Sequence, residues 1–269
     1  MLRDSDRIRL EDKWFDADST SESFDNRLFV RVAAKKKRFT EVSFKYTIFD
    51  GCYFRKCEFL SCDFTGCRFI ATNFYGATFS GCIFDYATFE KTSIADDILD
   101  NNCPGSENIK AKFAQTLRTN YQQLGEAKSA NKAMSVELDA TKTHLYKAWS
   151  SNERYFRAKY QGWKRIQFFF GWLSFKVLDI LWGNGESIPK LTRSILVFLV
   201  SIAIIDTFKF RDAGLIQSYW RALIEAPQIF LGTRVPGNFS HSALTGILTA
   251  RLIMFGALTS LIIKRYGRR

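Results

Sequence analysis

From Phe39 to Ile94 the chain places a bulky apolar residue at every fifth position: Phe39, Phe44, Phe49, Phe54, Phe59, Phe64, Phe69, Phe74, Phe79, Phe84, Phe89 and Ile94. From Phe44 onward a compact residue stands two places before each: Val42, Thr47, Cys52, Cys57, Cys62, Cys67, Thr72, Ala77, Cys82, Ala87 and Thr92. A spacing of five fits neither the helical period of 3.6 nor the strand period of 2. It does fit a square coil. If each five-residue unit is one side, four units close a turn of about twenty residues with the bulky side chains on the axis, and the compact residue fills the space a second large one would overpack. Residues 37–103 are therefore expected to form a β-helix of about three coils, roughly 14 Å tall at the ordinary strand spacing of ~4.8 Å. So short a solenoid needs covered ends. Residues 1–36, with Asp16, Asp18, Ser19, Ser21, Glu22 and Asp25, are expected to be a polar leader or cap, and the helix after Pro104 is the second candidate cap.

After Pro104-Gly105 the pattern turns helical. Ile109, Phe113, Leu117, Tyr121 and Leu124 recur at three or four residues, with Ser106 placed to cap the start and Gly125 to end it. A second helical stretch is predicted from about Glu126 to Tyr160, its buried face carrying Met134, Leu138, Leu145, Trp149 and Phe156. Residues 104–162 thus read as a helical hairpin linker. Residues 163–189 follow as an interfacial amphipathic helix and turn: Trp163, Phe168, Phe169, Phe170, Trp172, Phe175 and Trp182 are anchors, while Lys164, Arg165, Lys176 and Asp179 disqualify the stretch as a span. Residues 190–269 hold two candidate transmembrane helices, about Leu191–Phe208 and Ser242–Ile263. Between them Leu215–Glu225 reads as a short amphipathic helix and Ala226–Thr233 as a non-helical descent, either a re-entrant pore loop or, with the rest of Leu215–Phe239, an interfacial helix and loop on the outer face.

Charge sharpens this division. Residues 1–104 carry 15 Lys/Arg against 17 Asp/Glu, residues 105–163 carry 10 against 5, and residues 164–269 carry 14 against 5, so the whole excess of +12 sits behind the repeats. Basic residues flanking apolar runs point to the anionic cytoplasmic leaflet. Met1–Leu10 is too charged for a signal peptide or a first span, and Lys264, Arg265, Arg268 and Arg269 mark the C-terminal end as cytosolic. Both termini are therefore expected on the cytoplasmic side of the membrane. Five of six cysteines occupy the compact inward position, where a thiol serves as a small hydrophobe; no Cys-x-x-Cys pair occurs, and Cys62 and Cys82 are expected in adjacent coils, reduced.

The repeat region resembles the pentapeptide-repeat family, a right-handed quadrilateral β-helix with this inward pair, here with Phe where Leu is commoner. The resemblance implies an oligomerising or ligand-facing scaffold. DNA mimicry, known in the family, needs an acidic exterior, whereas Glu41, Asp50, Glu58, Asp63, Asp85 and Glu90 are nearly balanced here by Lys45, Arg55, Lys56, Arg68 and Lys91. The order of span, short helix, descent and span, with Trp182–Pro189 before it, is similar to pentapeptide-repeat proteins of prokaryotes that carry a potassium-channel-like ending. That likeness implies a homo-oligomer, a tetramer, in contact with the lipids of a bacterial inner membrane. No Thr-x-Gly-Tyr-Gly filter is present, so no selectivity residue carries over. Tyr121–Gly125 followed by Ala130 and Ala133 resembles one tetratricopeptide-like hairpin, which would imply peptide binding; a plain linker is the alternative.

Candidate functional residues follow. Pro227, Gln228, Ile229, Phe230, Leu231, Gly232 and Thr233 are the pore or gate candidates, with an apolar constriction at Ile229–Leu231. Arg251, in mid-span, is costly without a partner, and Asp206 and Glu225 are its candidate partners. Lys35, Lys36, Lys37 and Arg38 form a candidate anionic-ligand patch for a nucleotide, oligonucleotide or phospholipid headgroup. No enzyme is expected and no cofactor or metal: His144 and His241 lack companions, and no Gly-rich phosphate loop occurs. Two functional classes stay open, a gated oligomeric membrane channel and a non-conducting membrane-anchored scaffold. The first also resembles, in architecture alone, bacterial antiviral-defence effectors that disrupt the membrane potential.

Overall fold

The computed structural model describes residues 7–212, 214–236 and 239–266, without the side chains of the last three. The chain divides into two compact units, Met1–Phe168 and Phe169–Arg269. The basic end used to orient the chain falls at Lys264 and Arg265 on side chains that are not described, and at Arg268 and Arg269 outside the described residues.

The first unit opens with a β-solenoid of about four turns. Eleven short strands, β1 (Ile8–Glu11), β2 (Ser19–Thr20), β3 (Arg27–Val30), β4 (Ala33–Lys35), β5 (Arg38–Thr40), β6 (Ile48–Asp50), β7 (Tyr53–Arg55), β8 (Glu58–Leu60), β9 (Arg68–Ile70), β10 (Thr78–Ser80) and β11 (Thr88–Glu90), stack in parallel. One face carries β1-β3-β6-β9-β11, another β2-β5-β8-β10, a third β4-β7; the fourth is a ladder of single bridges through Ser23, Ser43, Asp63 and Ile83. Partners stand twenty residues apart, as in Phe49↔Phe69 and Phe39↔Phe59. The aromatic spine follows from that register. Phe44 and Phe64 stack at 5.2 Å and 3°, Phe64 and Phe84 at 5.0 Å and 13°, while neighbours on adjacent sides meet edge to face, as Phe59 and Phe64 do at 70°. Both arrangements are the favourable ones for the ring quadrupole.

The solenoid is longer than the periodicity predicts. Residues 8–36, expected to be a polar leader, contain β1–β4 and pair in parallel with the turn above. Three local departures hide them in the sequence. Ser19 and Ala34 take bulky sites, and one unit has only four residues, so that Ile8↔Arg27 and Trp14↔Ala33 are nineteen apart where later pairs are twenty apart. At the corners of the coil one residue per side adopts a left-handed backbone, among them Lys36, Glu41, Tyr46, Lys56 and Gly66. Glycine occupies only some of these, so the corners carry strain that stacking must offset.

Cysteine and threonine share the compact site for a common reason. At most of these sites the side chain donates to the carbonyl of the bulky residue twenty-three positions earlier: Cys67 Sγ to Phe44 O at 2.8 Å, Thr72 Oγ1 to Phe49 O at 3.2 Å, Thr47 Oγ1 to Phe24 O at 2.6 Å; Cys57 and Thr92 bond only the carbonyl two positions back. All six cysteines are free. Burial raises the Cys52 thiol to about 11 and lifts Cys67 further; Cys62 is raised by its neighbour Cys82 in the next coil and then by burial. Thiols so disfavoured as thiolates are poor nucleophiles and poor metal ligands.

Helices α1 (Ile98–Asn101), α2 (Glu107–Gln123), α3 (Ala127–Ser150) and α4 (Arg154–Lys159) complete the unit. The stretch expected as one helix to Tyr160 breaks at 151–153. Gly125, at φ +76°, makes the turn between α2 and α3. As expected of the second cap, α2 closes the solenoid. Phe113 sits 5.8 Å from Phe84 and 5.9 Å from Phe89, extending the spine. The open strand edge is met by side-chain amides: Asn120 accepts from Thr92 N and donates to Thr92 O, both at 2.7 Å, and Asn102 does the same for Cys82 N and Phe79 O at 3.1 and 3.2 Å. Leu117, Tyr121, Ala130 and Ala133 are buried in the same core, which removes the face a peptide would need in a tetratricopeptide-like hairpin.

Helix α5 (Trp163–Trp182) crosses the division between the units and buries no residue. The second unit continues with α6 (Ile188–Phe210), α7 (Ile216–Leu231) and α8 (His241–Tyr266). Two of these, α6 and α8, have the length and apolar composition to span a membrane. The expected non-helical descent after Glu225 is not found: α7 continues through Pro227 to Leu231. Packing explains it, since Ala226, Ile229 and Phe230 are buried against Ile202 and Ala203 of α6, and holding them there keeps the backbone helical past the proline.

Candidate functional site

Three groups of residues carry candidate chemistry. In the second unit Asp206 near the end of α6 is 5% exposed, and Glu225 lies on α7. Arg211 joins them: its Nε donates to Asp206 Oδ2 at 2.7 Å and its Nη2 to Glu225. Arg234 adds a second cation to Glu225 at 2.7 Å. The acids therefore pair with Arg211 and Arg234, and the expectation that they partner Arg251 is corrected. Residues five and fourteen positions from Arg211 meet only because α7 folds back along α6, a contact no local spacing announces.

Arg251 finds carbonyls instead. Its Nη1 donates to Leu231 O at 2.6 Å and lies 3.5 Å from Phe230 O, at the C-terminal end of α7. A helix ends with unsatisfied carbonyls and a partial negative charge, so a guanidinium there answers both. Gly232 makes the approach feasible: it turns at φ +77°, and a Cβ on it would collide with the Arg251 guanidinium. Thr233 N and Arg234 N take the carbonyl of Gln228 at 3.0 and 3.2 Å.

The pore candidates thus lie on or just after α7. Ile229 and Phe230 are 5% and 4% exposed, and the Phe230 ring is 5.8 Å from both Phe198 and Phe255. They are packing residues of this unit rather than the lining of a constriction. Leu231 is exposed. A small cavity of about 120 Å³ beside them is bordered by Gly232, Arg234, Leu248 and Arg251.

The third group is on the solenoid, where Lys35 ends β4, Lys36 and Lys37 form the corner, and Arg38 begins β5. Arg38 is held by Glu58 one coil on, at 2.8 Å, and Lys37 Nζ reaches Asp16 O at 2.5 Å. The register adds two cations invisible as a run in the sequence, Arg55 opposite Lys35 and Lys56 above Lys36. Among the described residues no group of three metal-ligating side chains comes together.

Residues 44–96 match the family model of pentapeptide repeats, in nine copies. The β-solenoid continues beyond the matched residues, back to Ile8. Among solved structures, a trypsin-treated variant of QnrB1, a plasmid-mediated fluoroquinolone resistance protein, is 16% identical with a TM-score of 0.13 and covers 34% of this chain and 64% of that one. A second such variant is 19% identical with a TM-score of 0.14, covering 33% of this chain and 54% of that one. The chain thus spans between half and two thirds of those structures. No curated protein matches it.

Proposed function

We propose that this pentapeptide-repeat chain is a membrane-anchored protein that works as an assembly of identical copies, with α6 and α8 crossing the bilayer, α5 lying among the headgroups and the solenoid displayed in the cytoplasm. The observation that carries it is how the second unit treats polarity. Asp206, Glu225 and Arg251 are answered within the unit, while the outward faces of α6 and α8 are apolar, with Leu196, Val197, Phe208 and Ile253 all more than half exposed. Water would oppose that surface; hydrocarbon would not. Hydroxyls on these helices also fold back on their own turns, as Ser201 to Val197 O and Thr249 to Thr245 O do, both at 2.9 Å. On α5 the exposed Trp163, Ile166, Phe170, Leu173, Val177 and Leu181 recur every three or four residues, a stripe suited to the headgroup boundary.

One observation supports a conducting assembly. Thr245, Thr249, Gly256 and Thr259, with Leu252 among them, form an exposed stripe of mostly small and hydroxyl-bearing residues on α8, turned to no other described part of the chain. Turned inward in a ring of about four copies, it would line an ion path whose opening the cytoplasmic repeats control. The test is current across planar bilayers holding the full-length protein, alongside Thr249→Leu and Gly256→Leu. Discrete currents abolished by those changes support conduction; membrane-inserted oligomers that pass no current leave an anchored scaffold. Release of the full chain by alkaline carbonate would sink the anchoring itself.

A further inference from the structure

Elsewhere on the solenoid, charged residues that stack in successive coils are opposite in sign. Arg38 stands on Glu58 and Lys45 meets Asp63 at 3.1 Å. The corner after β4 breaks that rule. Lys35 pairs with Arg55 in register, and Lys36 is stacked under Lys56, each donating its backbone N–H to the coil above at 3.0 Å. Both lysines hold the left-handed corner conformation, at φ +56° and +54°, so their side chains leave the coil at equivalent points about 5 Å apart. Like charges directly opposite one another are destabilising. Two columns of them, side by side, form a block of four cations. Asp16, one coil below Lys35, makes no ion pair with it among the described residues, and the Arg55 guanidinium lies 5.3 Å from the Tyr75 ring centre.

This block borders a concavity of about 440 Å³ lined by Asp18, Lys36, Lys37, Arg38, Lys56 and Glu58. Its two acids are already committed to Arg38: Asp18 accepts the backbone N–H at 2.9 Å, and Glu58 the guanidinium. Lys36 and Lys56 have no acidic partner among the described residues. We infer that this corner binds a multivalent phosphate group, with Lys36 and Lys56 as its primary contacts and Lys37 beside them. A polyphosphate relieves the repulsion within the block and fits a hollow of this size, which lies in the range of small-ligand sites. The chemistry is shared by a free nucleoside polyphosphate and a phospholipid headgroup. The site lies wholly within the first unit and holds whether or not the second unit conducts.

The experiment is titration calorimetry of full-length protein in neutral detergent with sodium tripolyphosphate, repeated with ATP and with phosphatidylcholine vesicles carrying or lacking phosphatidic acid. Saturable binding that weakens with added salt is expected. Lys36→Gly and Lys56→Gly should each weaken it about tenfold, the loss of one charge-assisted contact. Glycine suits the left-handed corner, as Gly76 above Lys56 shows, so the coil stays intact and circular dichroism should not change. Glu58→Gln should tighten binding by releasing Arg38, a gain that a damaged fold cannot produce. ATP binding without preference for phosphatidic acid identifies a soluble ligand, and the reverse a headgroup. No binding of any phosphate at low salt, or binding indifferent to both lysine changes, overturns the assignment; either result leaves membrane anchoring untouched.

Discussion

Phe64→Ala tests the aromatic spine at its middle. Phe64 is 1% exposed and stacks between Phe44 at 5.2 Å and Phe84 at 5.0 Å, with edge contacts to Phe59 and Phe69. Truncating a buried phenylalanine costs about 3–5 kcal/mol through lost transfer energy and the cavity left behind. The site cannot collapse, because the stack above and below is fixed by parallel strands, so the upper part of that range applies. The buried thiols provide the assay in the intact protein. Cys57, Cys62 and Cys67 are fully buried and reach a thiol reagent only when the coil opens, whereas Cys103 is half-buried. If labelling follows the population of the open state, 3 kcal/mol raises the rate more than a hundredfold. Phe24→Ala, at a half-buried end position, should raise it much less. Labelling of Cys62 and Cys67 that rises less than about threefold in Phe64→Ala would refute the claim that this spine holds the solenoid closed.

Three further outcomes are expected. Asn120→Ala leaves Thr92 N and O without partners at the buried end of the solenoid and should cost about 2 kcal/mol or more, read as faster hydrogen exchange at Thr92 and the strands beneath it. Arg211→Leu strips the cation from Asp206, which should destabilise the second unit by about 3 kcal/mol or more in detergent, with Asp206→Asn in the same chain recovering part of the loss. Burial, and then nearby Lys159, depresses the His144 pKa below its ordinary 6.5. Its neutral ring meets Tyr160 Oη at 3.2 Å, with Phe156 and Phe168 against it and Glu107 as the opposing acid. The unfolded segment therefore binds the proton more readily, so the packing of α3 against α4 is at full strength above about pH 6.5 and weakens as pH falls through the depressed value. His144→Phe should flatten that dependence in a proteolysis series across pH.

The repeats were legible because an interval of five has few structural solutions, and twelve positions from Phe39 to Ile94 repeat it without a gap. The earlier coils were not, since Ser19, Ala34 and a four-residue unit interrupt the interval while the backbone hydrogen bonds carry on. Nor could the amide caps be seen. Asn120 is an ordinary helical residue, and Asn102 an ordinary residue just past a short helix, until each is laid on the strand edge. Pro227 misled in the other direction, because proline marks a break only where nothing else holds the helix, and Ala226, Ile229 and Phe230 hold it. The partners of Arg251 were misjudged for a related reason: complementary charge is visible along a chain, whereas a helix end acting as an acceptor appears only when the helix has a known end.

The four-residue unit near the start has a consequence for how the chain tolerates change. Because the frame of the coil is counted in residues, a deletion displaces every core side chain on its N-terminal side relative to those beyond, and this one lies where only Leu10 and Phe15 are affected. The same loss between Phe59 and Phe64 would dislocate the middle of the stack. Whole turns are another matter: a duplicated block of twenty residues would lift α2 and its amides together, with each still facing the edge it closes. The height of the solenoid is thus a quantity that can change in steps of one coil and in no smaller unit.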